Sequence, residues 1–169
     1  MKTEIQKDIV ETFQKLNKGI SQFSESEFNM IPYQGSWTAG QVVQHIILAA
    51  SGYPEVFSGE TQKSTRKYDE KIKEIEKLFL NFSIKMDSPA SIFPEKKEYS
   101  KNDLSIKLLQ IESELLNAAE QFDLTLIPVK FQIPGFGEFT IYECIRFALI
   151  HTQRHTHQLN TIFQYITKL

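Results

Sequence analysis

Apolar side chains recur every three to four residues from Glu4 to about Phe23, at Ile5, Ile9, Phe13, Leu16 and Ile20. That spacing gathers them into one stripe and predicts an amphipathic helix. The pattern breaks at Ile31-Pro32-Tyr33-Gln34-Gly35, which reads as a loop. Thr38 and Gln41 then form a capping box, with Trp37 and Val42 placed for a hydrophobic staple. The helix they open runs through Val42, Val43, His45, Ile46, Ile47, Ala49 and Ala50 toward Tyr53. It is apolar around much of its circumference and should be largely buried.

A third helix is expected from Tyr68 to Ile84, with Ile72, Ile75, Leu78, Phe79 and Phe82 facing inward. Pro89 and Pro94 make the stretch from Met86 to Pro94 a loop. Ser100 and Asp103 can cap a further helix carrying Leu104, Leu108, Ile111, Leu115 and Ala119. Phe131 to Gly137 reads as a second loop, partly extended. Thr140 and Glu143 form another capping box, with Phe139 and Cys144 in the staple positions. The helix that follows reaches about Ile166. Four or five long helices separated by two Pro/Gly-interrupted loops predict an all-α fold, an antiparallel four-helix bundle with long interhelical loops. Neither a repeat nor a linker divides it, so residues 1–169 read as one domain.

Composition narrows the partners. Thirteen phenylalanines among 169 residues predict an aromatic core or pocket. The net charge is −2 and no basic block stands out, which argues against nucleic acid. Lys63 to Lys77 is lysine-rich but interleaved with acids, as on a solvated helix face. No apolar run approaches a membrane span, and the charged N-terminal segment lacks a signal-peptide core. Cys144 is the sole cysteine, so no internal disulfide can form, and a cytoplasmic location is expected.

The chemistry resides in three of the four histidines. His151 and His155, four apart, share one face of the last helix, and apolar neighbours place that face toward the core. His45 lies on a buried face between Val42 and Ala49. Three inward imidazoles need partners, because an unpaired buried ring is costly. One divalent metal would satisfy all three and keep open coordination positions, as catalytic rather than structural sites do. The competing reading makes each a core histidine bonded to a carbonyl or carboxylate.

His157 is about 200° round the helix from His155 and belongs at the rim. Gln158 is either a hydrogen-bond partner of His155 or a solvated side chain, and Arg146 is expected to pair with Glu143. Cys144 lies roughly 10 Å along the axis from His151, too far to share an ion, and reads as a buried thiol. HExxH, Glu-x-x-His, GxGxxG, Walker A and nucleophile-elbow patterns are absent from the sequence.

Two segments carry a family resemblance: Gly35-Ser36-Trp37-Thr38-Ala39-Gly40-Gln41-Val42-Val43-Gln44-His45, and Phe147-Ala148-Leu149-Ile150-His151-Thr152-Gln153-Arg154-His155-Thr156-His157-Gln158-Leu159. The chain resembles the DinB-like, or bacillithiol-transferase-like, superfamily. There a Ser-Trp-Ser/Thr motif precedes a helix bearing one metal histidine, and HxxxH on the last helix supplies two more. The resemblance implies a four-helix bundle with zinc or nickel held by His45, His151 and His155 at the mouth of a pocket. It implies a thiol S-transferase joining a low-molecular-weight thiol to an electrophile, or an isomerase using such a thiol. It carries over no further catalytic residue.

A metal-dependent hydrolase is the alternative enzyme, and a stress-related small-molecule-binding bundle the non-enzyme alternative. An open polar pocket beside His45 would favour chemistry; one plugged by Trp37, Phe136 or other aromatics would favour structure. The expected partner is a small-molecule substrate; a homodimer is also compatible with the sequence.

Overall fold

In the computed structural model, which describes residues 1–133 and 135–168, Ile5, Ile9, Phe13, Leu16 and Ile20 form the buried side of α1 (Lys2–Ser21). A capping box of Ser24 and Glu27, unnoticed in the sequence, opens the one-turn α2 (Glu25–Phe28) and buries Phe28. The Thr38–Gln41 box is present and starts α3 (Ala39–Ala50). That helix stops short of Tyr53, because Gly52 adopts the left-handed conformation at φ +83° and Pro54 begins a separate turn, α4 (Tyr53–Phe57). The short strand β1 (Thr61–Lys63) precedes α5 (Ile72–Phe79). A single 3-10 turn, Ala90–Ile92, leads to α6 (Lys101–Gln121), capped by Ser100 as expected. The strands β2 (Leu126–Pro128), β3 (Gln132–Ile133) and β4 (Gly137–Glu138) come before α7 (Ile141–Ile166), opened by the Thr140–Glu143 box.

The third helix is shorter than the sequence pattern predicts. Ile72 and Ile75 are buried as expected, but Phe82 falls beyond α5 and is exposed. The extended part of the second loop is the β3–β4 ladder; Pro134 of that loop lies outside the described residues. Pairing of β1 with β2, Thr61 opposite Pro128, had no local signal in the sequence.

The fold is an all-α bundle in which α1 and α3 each pack against both α6 and α7. At the start of α1, Gln6 Nε2 donates to Glu120 Oε2 at the end of α6, while Lys101 Nζ donates to the Phe23 carbonyl, so these two helices are antiparallel. Tyr53, just past α3, lies beside Cys144 near the start of α7, an antiparallel pair again. By contrast α1 and α7 advance together, from Asp8–Arg146 to Gln22–Asn160, and α3 and α6 do likewise, from Gly40–Tyr99 to Phe57–Phe122. Parallel neighbours require a return crossover, and residues 51–100 supply it.

The core is aromatic, with Phe13, Phe23, Phe28, Phe57 and Phe139 fully buried. Arg146 does not pair with Glu143. It reaches Asp8 of α1 and Glu76 of α5, and the wholly buried Glu143 takes both guanidinium nitrogens of Arg66 from the crossover instead. No helix among the described residues is long and apolar enough to cross a membrane.

Candidate metal centre

The capping boxes of α3 and α7 fix the two helices that meet at the histidines. With these starts set, His45 lies in the second turn of α3, and His151 and His155 occupy successive turns of α7. All three are buried, at 3%, 8% and 9% exposure. Their ring centroids are 4.4–4.9 Å apart. The Nε2 atoms converge: His151 Nε2 is 3.2 Å from that of His45 and 3.1 Å from that of His155.

The outer nitrogens explain this orientation. His45 Nδ1 lies 2.8 Å from the Ile92 carbonyl, which can only accept, so Nδ1 carries the proton and Nε2 presents a lone pair inward. His155 Nδ1 lies 2.8 Å from Gln158 Oε1, with the same result. Gln158 is therefore the hydrogen-bond partner of His155 rather than a solvated side chain.

Two inward lone pairs then face one nitrogen of His151, whose single possible Nε2 proton can satisfy only one of them. Burial makes protonation a poor remedy. It holds His155 down at about 3, with the neighbouring His45 adding to the effect, and holds His151 well below the ordinary histidine range, with His155 and His45 adding to it. His45 is lowered by burial too, partly offset by its bond to Ile92. Three neutral nitrogen donors turned on one point suit a shared cation. The 3.1–3.2 Å separations of the Nε2 atoms are short enough for His45, His151 and His155 together to hold one such cation. These three residues are able to hold a metal ion, and no carboxylate or thiol joins the group among the described residues.

The surroundings are aromatic. Trp37 lies 5.1 Å from the His45 ring and meets Phe93 edge-on at 5.3 Å. Phe147 stacks on His151 at 6.0 Å, and Phe79 approaches the same ring at 6.3 Å. The sequence does not single out Phe93 or the Ile92 carbonyl, because nothing local marks a backbone oxygen as a histidine partner; Trp37, expected as a staple and as a candidate plug of the pocket, lies beside His45. Phe136 packs on Phe79 and Phe139, one layer away from the rings.

His157 points out and stacks on Phe82 at 3.9 Å. Cys144 is fully buried, and burial, helped by the charge of Glu143, raises its thiol well above the ordinary range. A thiol held protonated in this way is a poor nucleophile. Arg154 donates to the carbonyls of Phe79, Asn81 and Ile84.

A family model described as the DinB superfamily matches residues 8–159. Searches of curated proteins and of solved structures give no match.

Proposed function

The chain belongs to the DinB superfamily, and on that premise we propose a metal-dependent thiol S-transferase in which His45, His151 and His155 hold one divalent cation, zinc or nickel. The observation that carries this reading is the convergence of three neutral Nε2 donors on one point. A cation bound there would supply Lewis acidity, lowering the pKa of a low-molecular-weight thiol and holding its thiolate beside an electrophile. In the overall reaction a sulfur–carbon bond forms, the leaving group departs with its bonding pair, and the thiol proton passes to solvent.

The chain's own residues prepare the site. Ile92 and Gln158 fix the tautomers of His45 and His155, so both rings offer Nε2 without rearrangement. Burial keeps the three imidazoles neutral and available. Trp37, Phe79, Phe93 and Phe147 limit water around them and strengthen electrostatic interactions inside. Hydrolysis of a small-molecule substrate at the same centre is the alternative chemistry. Low exposure of the three rings favours a second reading, a small-molecule-binding bundle that does no chemistry.

The deciding experiment is metal analysis of the purified protein and of His151→Ala, followed by a screen conjugating small thiols to reactive electrophiles. Stoichiometric metal in the native chain, its loss in the variant, and conjugation that stops on chelation are the expected results. Full conjugation by metal-free protein would sink the mechanism. Metal without either conjugation or hydrolysis would select the binding reading.

A further inference from the structure

The histidine cluster is too closed for a substrate to reach as it stands, so some element over it must move. One segment spans the seam between α7 and α3 where the three rings meet. It begins on α7, where Arg154 holds the carbonyls of Phe79, Asn81 and Ile84 and Phe82 stacks on His157. It arrives on α3, where the Ile92 carbonyl accepts from His45 and Phe93 meets Trp37. Beyond that it is tied down again: Gln41 donates to the Glu95 carbonyl, and Asn29 bonds both the N–H and the carbonyl of Tyr99.

Between these two anchors little holds the chain. Residues 85–91 are exposed except for Ser88, which is half-buried. Among the described residues, no backbone N–H of residues 85–88 donates to a backbone carbonyl. Few buried apolar contacts and few backbone bonds are the marks of a segment that opens locally at low free-energy cost. The contacts that close it are the Ile92–His45 bond, a long approach of Ser88 Oγ to the same nitrogen at 3.5 Å, and the Phe93–Trp37 edge contact.

We infer that residues 85–93 are a gate over the histidine cluster, anchored by Arg154 on one side and by Asn29 and Gln41 on the other, and latched by Ile92 and Phe93. This rests on the metal-site reading only for its purpose; the motion itself requires no metal. Opening would uncover the cluster for a small-molecule substrate and at the same time remove the hydrogen-bond acceptor that orients His45. The latch is thus part of the site it covers.

The test uses the full chain without metal, so that a failed gate and a failed metal site give different results. Carbethoxylation of histidines by diethyl pyrocarbonate is followed residue by residue by peptide mass spectrometry. His157, exposed, should react fast and serve as the internal standard, while His45, His151 and His155 react slowly. Phe93→Ala should speed all three by about fivefold, the population shift expected from losing one edge-on aromatic contact, and leave His157 unchanged. Phe93 is 49% exposed, so this variant should fold. Hydrogen exchange gives a second measurement: amides of residues 85–93 should exchange far faster than those of α3 and α7. The gate is overturned if the three histidines react as fast as His157 in the native chain, if Phe93→Ala leaves their rates unchanged, or if residues 85–93 are as protected as α3. Metal content of the same chains before metal is stripped, measured separately, reports on the metal reading alone.

Discussion

His151 stands at the centre of the cluster, since both other Nε2 atoms approach it. His151→Ala should abolish metal binding, whereas His157→Ala should leave metal content unchanged, because His157 lies against Phe82 outside the core. Equal loss in both variants, measured by elemental analysis, would contradict the assigned faces. Gln158→Leu tests the support: removing the acceptor for His155 Nδ1 should weaken metal affinity by about 10–100-fold without eliminating it. Burial of the rings also makes stability depend on pH. An imidazole whose folded pKa is depressed binds its proton more readily in the unfolded chain. Stability of the metal-free protein is then full above the unfolded value of about 6.5 and is lost as pH falls toward the folded values, about 3 for His155. The His155 ring can withdraw up to about 2 kcal/mol between pH 6.5 and 5, and the lowered His45 and His151 act in the same direction. Thermal melts of metal-free protein should show the midpoint falling across that window, and a flat profile would mean the rings are not buried neutral. At this scale the sequence was informative about the pair on α7, because a spacing of four on a helix is a local geometric fact. It could not place the Ile92 oxygen, whose partnership with His45 spans 47 positions.

The helix starts were legible because a capping box is closed within four residues, and the boxes at Thr38 and Thr140 are both present. What lay between helices was not, as Glu143 illustrates. Read locally, it belongs to the box and to a neighbouring Arg146. In the fold its carboxylate also accepts from both Arg66 guanidinium nitrogens at 2.6–2.7 Å and from the Lys71 N–H at 2.9 Å. The same region explains why α5 is shorter than its apolar pattern. Thr140 donates to the Tyr68 carbonyl at one end and Arg154 to the Phe79 carbonyl at the other, so α7 claims acceptors that a helix over Tyr68–Ile84 would use itself. Tertiary partners here outweighed periodicity. Glu143→Gln should therefore cost more than a lost cap. It breaks a charge-assisted fork at a carboxylate with no exposure and should destabilise by about 2–4 kcal/mol, seen as a lower denaturant midpoint. A change within about 0.5 kcal/mol would show that the clasp contributes nothing net.

Across the whole molecule, helix content and the bundle class followed from apolar spacing, while the order of packing did not. Nothing in the stripes of α3 and α6 says that these helices run parallel; that depends on the crossover of residues 51–100, held by long-range contacts such as β1 with β2 and Arg66 with Glu143. The histidine cluster joins α3, which precedes the crossover, to α7, the last helix of the bundle. A cation bound by all three residues would tie together chain segments 106 positions apart and would be absent from the unfolded chain. Binding to the folded state alone stabilises by about 2.7 kcal/mol when free metal is one hundred times its dissociation constant. At about 2–4 °C per kcal/mol for a domain of this size, the melting midpoint should rise by about 5–10 °C on loading with zinc or nickel and return on chelation. His151→Ala should melt at one temperature with or without metal, and His157→Ala should shift as the native chain does. If metal raised the midpoint of His151→Ala as much as that of the native protein, the ion would be binding elsewhere, and the bridge between α3 and α7 would not be the metal site.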